Sequence, residues 1–141
     1  MTPDASLAVQ QAVYAVLVAD AGLAALVGPR LHDRRPEGSG FPHVVVGEAS
    51  CFPDGSATRS GQAHVLTLHV WSRYRGQAEA KRILGALSAA LHRQSLDLGA
   101  DFDCVSLRVT YGAVLDDGDG VTSHGVLRLS VLTEAATPYT L

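Results

Sequence analysis

The feature that most restricts what this chain can fold into is a change of hydrophobic period at Gly76. Residues 63–73 alternate without a break, with Leu66, Leu68 and Val70 on one parity and Thr67, His69 and Trp71 on the other. That is the period of a half-buried strand. Across residues 76–94 the apolar positions become Ala80, Ile83, Leu84, Leu87, Ala90 and Leu91, and Glu79, Arg82 and Arg93 fall outside the stripe. This second pattern is an amphipathic helix with one core-facing side. A strand and a long helix so close in sequence bury their apolar faces against each other, which points to a layered fold with helices on one side of a sheet.

The remaining segments fit that layering. Asp4 or Ser6 can cap a first helix whose apolar stripe is Leu7, Val13, Val16 and Leu17, widened by Tyr14 and Val18. Asp20 caps a short second helix with Leu23, Leu26 and Val27 facing inward, and Gly28-Pro29 ends it, because Gly accepts the left-handed conformation and Pro cannot continue a helix. Pro36, Glu37, Gly38, Ser39 and Gly40 form a loop, and a minor strand is possible near Arg30. Val44, Val45 and Val46 make residues 43–48 a β-branched strand. Two alternating segments close the chain. In one, Val105, Leu107, Val109, Tyr111 and Ala113 oppose Ser106, Arg108 and Thr110; in the other, residues 126–132 alternate around Arg128 and Ser130. Asp116, Asp117, Gly118, Asp119 and Gly120 join them with hairpin chemistry. The order is ααββαββ, an α+β class with a mainly antiparallel sheet of four to five strands and helices packed on one face. With 141 residues, 47% of them hydrophobic, the chain is expected to form one domain. It should carry a flexible loop at about 50–62, where Pro, Gly and Ser replace core-forming residues, and a short C-terminal tail.

The search for catalytic chemistry excludes more than it finds. Lys81 follows Ala80 and lacks the glycine and the Ser/Thr of a phosphate loop. Arg128 stands where a calcium loop beginning at Asp117 needs a bidentate Glu. His64 and His69 are five apart in a strand and so point to opposite faces. His32 and His43 flank a loop without ligand spacing, and the six histidines read as singly exposed side chains. Ser123-His124-Gly125 lacks the first glycine of a nucleophile elbow and precedes a strand. No catalytic residue, metal site or cofactor is expected. The 11 basic and 14 acidic residues give a net charge of −3, too balanced for electrostatic capture of DNA. Asp20 and Gly22 interrupt the apolar stretch at residues 12–27, so no membrane span is expected. Without a basic leader and with two distant cysteines, Cys51 and Cys104, a cytoplasmic site of synthesis with reduced thiols is expected.

What remains is an assembly or binding module. Leu23-Ala24-Ala25-Leu26-Val27-Gly28, Arg30-Leu31-His32-Asp33 and Phe41-Pro42-His43-Val44-Val45-Val46-Gly47-Glu48 stand in order along the chain. They are followed by Leu66-Thr67-Leu68-His69-Val70-Trp71-Ser72-Arg73, Gly76-Gln77-Ala78-Glu79-Ala80-Lys81 and His124-Gly125-Val126-Leu127-Arg128-Leu129. This ordered set resembles the tail-terminator (tail-completion) family of long-tailed phages, prophages and gene transfer agents. The resemblance implies a non-enzymatic structural virion protein. Its members form a ring, typically hexameric, that ends the tail tube and joins it to the neck of the head, with DNA passing through the channel. The implied partners are further copies of the chain, the major tail tube protein and a neck or stopper protein. The implied location is the head-proximal end of the tail, after assembly in the host cytoplasm. A near-neutral chain suits a channel that passes DNA without binding it. The candidate interface or channel residues are Arg108 and Arg128, on the polar sheet face, and Trp71 and Arg73, at a strand end. Two other readings stay open: another neck component, such as a head-completion or stopper protein, and a small non-enzymatic ligand-binding or regulatory α+β domain.

Overall fold

The computed structural model describes residues 4–38 and 40–139; Ser39, inside the expected loop, and the end of the expected C-terminal tail lie outside the described residues. The elements are α1 (Ser6–Ala19), α2 (Ala21–Val27), β1 (Leu31–His32), β2 (His43–Pro53), β3 (Gly61–Ser72), α3 (Ala78–Leu91), β4 (Phe102–Asp116) and β5 (Ser123–Ala135). They build one five-stranded sheet in the order β1-β2-β3-β5-β4. Every pairing is antiparallel except the short parallel contact of β1 with β2. The α+β class and the mainly antiparallel sheet follow the sequence reading, and the minor strand near Arg30 is β1.

The core lies between the sheet and the helices. Leu66, Leu68 and Val70 of β3 and Leu127, Leu129 and Val131 of β5 are buried with Ile83, Leu87 and Leu91 of α3. Gly125 is where α3 comes closest. A Cβ there would stand 3.1 Å from Val70 Cβ and 3.3 Å from Leu84 Cγ, so a larger residue would push the helix off the sheet. At the start of α2 the Asp20 carboxylate accepts from Leu23 N–H at 2.8 Å, and Gly28 (φ 57°) ends the helix as expected. The α1–α2 pair bends by 80°, and among the described residues no single helix is long and apolar enough to cross a membrane.

Four expectations are corrected. The α1 stripe rotates: Val9, Ala12, Val13 and Leu17 are buried, whereas Leu7, Tyr14 and Val18 are exposed. The helix carries apolar residues on two sides, and its entry is set from outside by Ala5 N–H, which donates to Gln62 Oε1 of β3 at 2.8 Å. Asp4, not Ser6, supplies the side-chain acceptor, taking Ser6 N–H at 2.7 Å, while Ala5 holds the cap position.

The second correction concerns residues 50–62. Strand β2 runs on to Pro53 and β3 begins at Gly61, so only residues 54–60 connect them. That tip is tied to its own domain. Tyr139 N–H donates to Thr58 O at 2.7 Å and Ala135 N–H to Ser60 O at 2.8 Å. The Arg59 guanidinium donates to the carbonyls of Ala135 and Ala136 at 3.3 and 3.0 Å. Ladder hydrogen bonds to β3 outweigh the poor strand propensity of Ser50 and Pro53.

The third correction is in β4. Its register slips between Cys104 and Ser106 and again between Val109 and Tyr111. Each bulge inserts one unpaired residue and resets the alternation. Val105 is therefore 56% exposed, and Tyr111 is 48% exposed on the face opposite Leu107 and Val109. Finally, α3 stops at Leu91 rather than 94. Arg93 turns left-handed (φ 62°), donates its N–H to Leu107 O at 3.1 Å, and His92 Nδ1 accepts Val109 N–H at 3.0 Å. The strand edge captures the last turn.

Candidate functional site

Strand alternation gives the sheet a second face that the helices do not cover. Thr67, His69 and Trp71 point to it from β3, and register carries His124, Val126 and Arg128 of β5 and Tyr111 and Leu115 of β4 to the same side. The four sequence-derived candidates all lie on or beside it, but in two groups. Arg108 and Arg128 are exposed midway along the neighbouring strands β4 and β5, β4 being the edge strand. Arg108 faces Ser130 across the β4–β5 ladder, and Arg128 lays its guanidinium 5.0 Å over the Tyr111 ring. Trp71 and Arg73 lie at the end of β3, where they line one cleft of about 380 Å³ with Phe41 and His43. Arg73 sits 4.2 Å over the Phe41 ring, and its Nε–H donates to Thr122 Oγ1 at 3.4 Å.

The expectation of singly exposed histidines is corrected here. His43 and His64 are buried. His64 faces the core, on the side opposite His69, and meets Thr133 Oγ1 at 3.0 Å. On the outward face His69 Nδ1 lies 2.7 Å from His124 Nε2, and His69 Nε2 lies 2.9 Å from Glu48 Oε1. The His124 ring stacks on Trp71 with centroids 3.9 Å apart and planes 6° from parallel. Glu48, His69, His124 and Trp71 thus form one continuous array across β2, β3 and β5.

A bulge makes the array possible. Strand β2 slips register between Val46 and Ala49, so Gly47 and Glu48 together oppose a single position of β3. The slip turns the Glu48 carboxylate onto the His69 ring, and Gly47 leaves the space that ring occupies. No spacing in the sequence announces this; β3 and β5 register also had to be known. The electrostatics follow from the geometry. The hydrogen bond from His69 holds the Glu48 carboxyl below its ordinary range. Burial, and then the charge of His69, push His124 down, and burial pushes His43 and His64 down.

The acidic turn serves itself. Asp119 accepts from the backbone N–H of Val121 and Thr122 at 2.8 and 2.6 Å and from Thr122 Oγ1 at 2.6 Å. Those bonds, led by the Thr122 hydroxyl, lower its pKa to about 2. Among the described residues no group of three or more His, Cys, Asp or Glu side chains is arranged to hold a metal ion. The arrangement is one of stacked rings, paired guanidinium–aromatic contacts and a hydrogen-bonded histidine pair on an outward surface.

A family model described as tail completion protein gp17 matches residues 11–134. The tail completion protein gp17 of Bacillus phage SPP1 is 30% identical over 89 residues, covering 63% of this chain. The match spans 65% of that relative's length, a little under two thirds. Among solved structures, a chain in the virion of a native gene transfer agent particle superposes with a TM-score of 0.85 at 29% identity, covering 92% of this chain and 97% of its own. The structure of bacteriophage SPP1 gp17 superposes with a TM-score of 0.61 at 26% identity, covering 90% of this chain and 89% of its own.

Proposed function

The chain belongs to the tail completion protein gp17 family, and on that footing we propose that it is a structural virion subunit that ends the tail tube. In this reading several copies, six by the family resemblance, form a ring at the head-proximal end of the tail. The ring joins the major tail tube protein to a neck or stopper protein, and DNA passes through its channel. The observation that carries the reading is the near full-length likeness to a chain of a gene transfer agent virion. A ring of identical subunits needs two different surfaces on each protomer that close on rotation. The outward sheet face, with Arg108, Arg128, Trp71 and Arg73, supplies one of them, meeting a neighbouring copy or the channel.

Imaging of purified particles with an antibody to this chain tests the proposal. The expected result is one layer of label at the head-proximal end of each tail. Label along the whole tube, or none on particles, overturns it. Label on tailless heads would transfer the assignment to a head-completion or stopper protein.

A further inference from the structure

Two imidazoles bonded directly to each other depend on their proton count in a way that single histidines do not. His69 Nε2 lies 2.9 Å from Glu48 Oε1, so the carboxylate takes the Nε2–H and leaves His69 Nδ1 as an acceptor. That nitrogen is 2.7 Å from His124 Nε2, which donates to it when both rings are neutral. One added proton preserves the link. Placed on His69, it gives a ring that donates to Glu48 on one side and to His124 Nε2 on the other. A second proton removes the last acceptor between the rings and brings two positive charges into contact.

We infer that the Glu48–His69–His124 chain is a proton-operated latch that stays closed through one protonation and opens on the second, freeing Trp71 from its stack. The charged groups around the pair are few. Glu48 faces it from β2 and Asp117 from the β4–β5 turn, and these are the anions that favour its protonation. Across the ladders Val126 stands opposite His69, Leu115 opposite His124, and the buried His43 opposite Trp71. Burial and the neighbouring His69 charge both resist protonation of His124, so the second proton enters only in acid. As the two protons arrive, the triad passes from one negative charge through neutrality to one positive charge. The outward face therefore changes sign and releases an indole in the same step, which makes it an acid-sensitive contact surface.

Trp71 is the only tryptophan in the chain, so its emission reports the latch directly. The experiment follows Trp71 fluorescence of the full chain from about pH 8 to about pH 4.5, with far-UV circular dichroism recorded alongside to mark the folded range. The expected result is an emission transition below the ordinary imidazole range of ~6.5 while the fold persists. His124→Gln abolishes the transition. His69→Gln abolishes it too, because only one ring is left to charge and the amide oxygen accepts from His124 Nε2–H, and His43→Gln leaves it in place. Flat emission across the folded range overturns the inference, as does a transition that survives His124→Gln. If His124→Gln does not fold, ¹⁵N spectra of the histidine-labelled wild type decide. Nε2–H tautomers on both rings at neutral pH and stepwise titration support the latch; two rings titrating together as free imidazoles refute it.

Discussion

Gly47→Ala is the substitution for which the structure gives the sharpest expectation. A Cβ at this position overlaps His69 Cδ2 and stands 2.7 Å from His69 Nε2 and 2.9 Å from the Thr67 carbonyl oxygen. The ring cannot turn aside freely, because one nitrogen is held by Glu48 and the other by His124. Overpacking of this kind costs about 1–3 kcal/mol. Losing the Glu48–His69 bond adds only ~0.5 kcal/mol, since the Glu48 side chain is 72% exposed and water screens the pair. The sum is roughly 1.5–3.5 kcal/mol. An unfolding entropy near 2 cal/mol/K per residue gives ~0.3 kcal/mol/K for a chain of this length, so Tm falls by about 5–12 °C. In a His69→Ala background the ring is absent and only the Thr67 carbonyl contact remains, so the same substitution costs ~1 kcal/mol there. Calorimetric melts of the four proteins test this. A Tm drop under ~2 °C for the single variant, or equal costs in both backgrounds, would refute the view that the ring occupies the space a side chain needs.

Other expectations follow from named contacts. Arg59→Ala removes three tethers of the β2–β3 tip, two to backbone carbonyls and a 3.6 Å contact with Asp103; a loss of about 1–2 kcal/mol and faster hydrogen exchange at residues 54–60 are expected, and unchanged exchange would show that the Tyr139 and Ala135 bonds suffice. Burial lowers the pKa values of His43, His64 and His124, so below ~6.5 the unfolded chain binds more protons than the folded one. Stability is full above that value and falls as pH drops toward the folded pKa values, which urea midpoints at neutral and mildly acidic pH will read as a decrease; a rise on acidification would contradict the burial. Arg128→Ala loses an exposed cation–π contact worth ~0.5–1 kcal/mol, so Tm should shift by no more than ~3 °C, while the fraction of particles with joined heads and tails falls; a fully functional variant would make the outward face a merely solvated one.

The layered fold was legible because its signals are local and periodic. Leu66, Leu68 and Val70 identify a strand face, and Ala80, Ile83, Leu87 and Leu91 a helix face, from a dozen residues each. The Asp20 cap and the Gly28 stop mark α2 by short-range chemistry alone. The failures share a cause. Leu7, Tyr14 and Val18 are as apolar as Val9, Val13 and Leu17, and which stripe of α1 turns inward is decided by the sheet it meets and by Gln62 holding its first residues. Ser50 and Pro53 are poor strand formers that become strand because β3 continues beside them.

The outward face was half legible for the same reason. Alternation alone sent Arg108 and Arg128 away from the core, and both are exposed there. It also separated His64 from His69, which lie on opposite faces. What alternation cannot supply is which residue of one strand stands beside which residue of the next. His69 and His124 are 55 positions apart, and a one-residue slip of β5 would point His124 into the core and leave His69 facing a different side chain. Glu48 reaches His69 only because the bulge at Gly47 adds a residue to β2. The Glu48–His69–His124 chain is therefore a property of register, fixed jointly by the buried parity of three strands and by one bulge. Shifting that bulge is the perturbation that separates the array from the fold: it would detach Glu48 while leaving the His69–His124 pair on the β3–β5 register and Leu66, Leu68 and Val70 in the core.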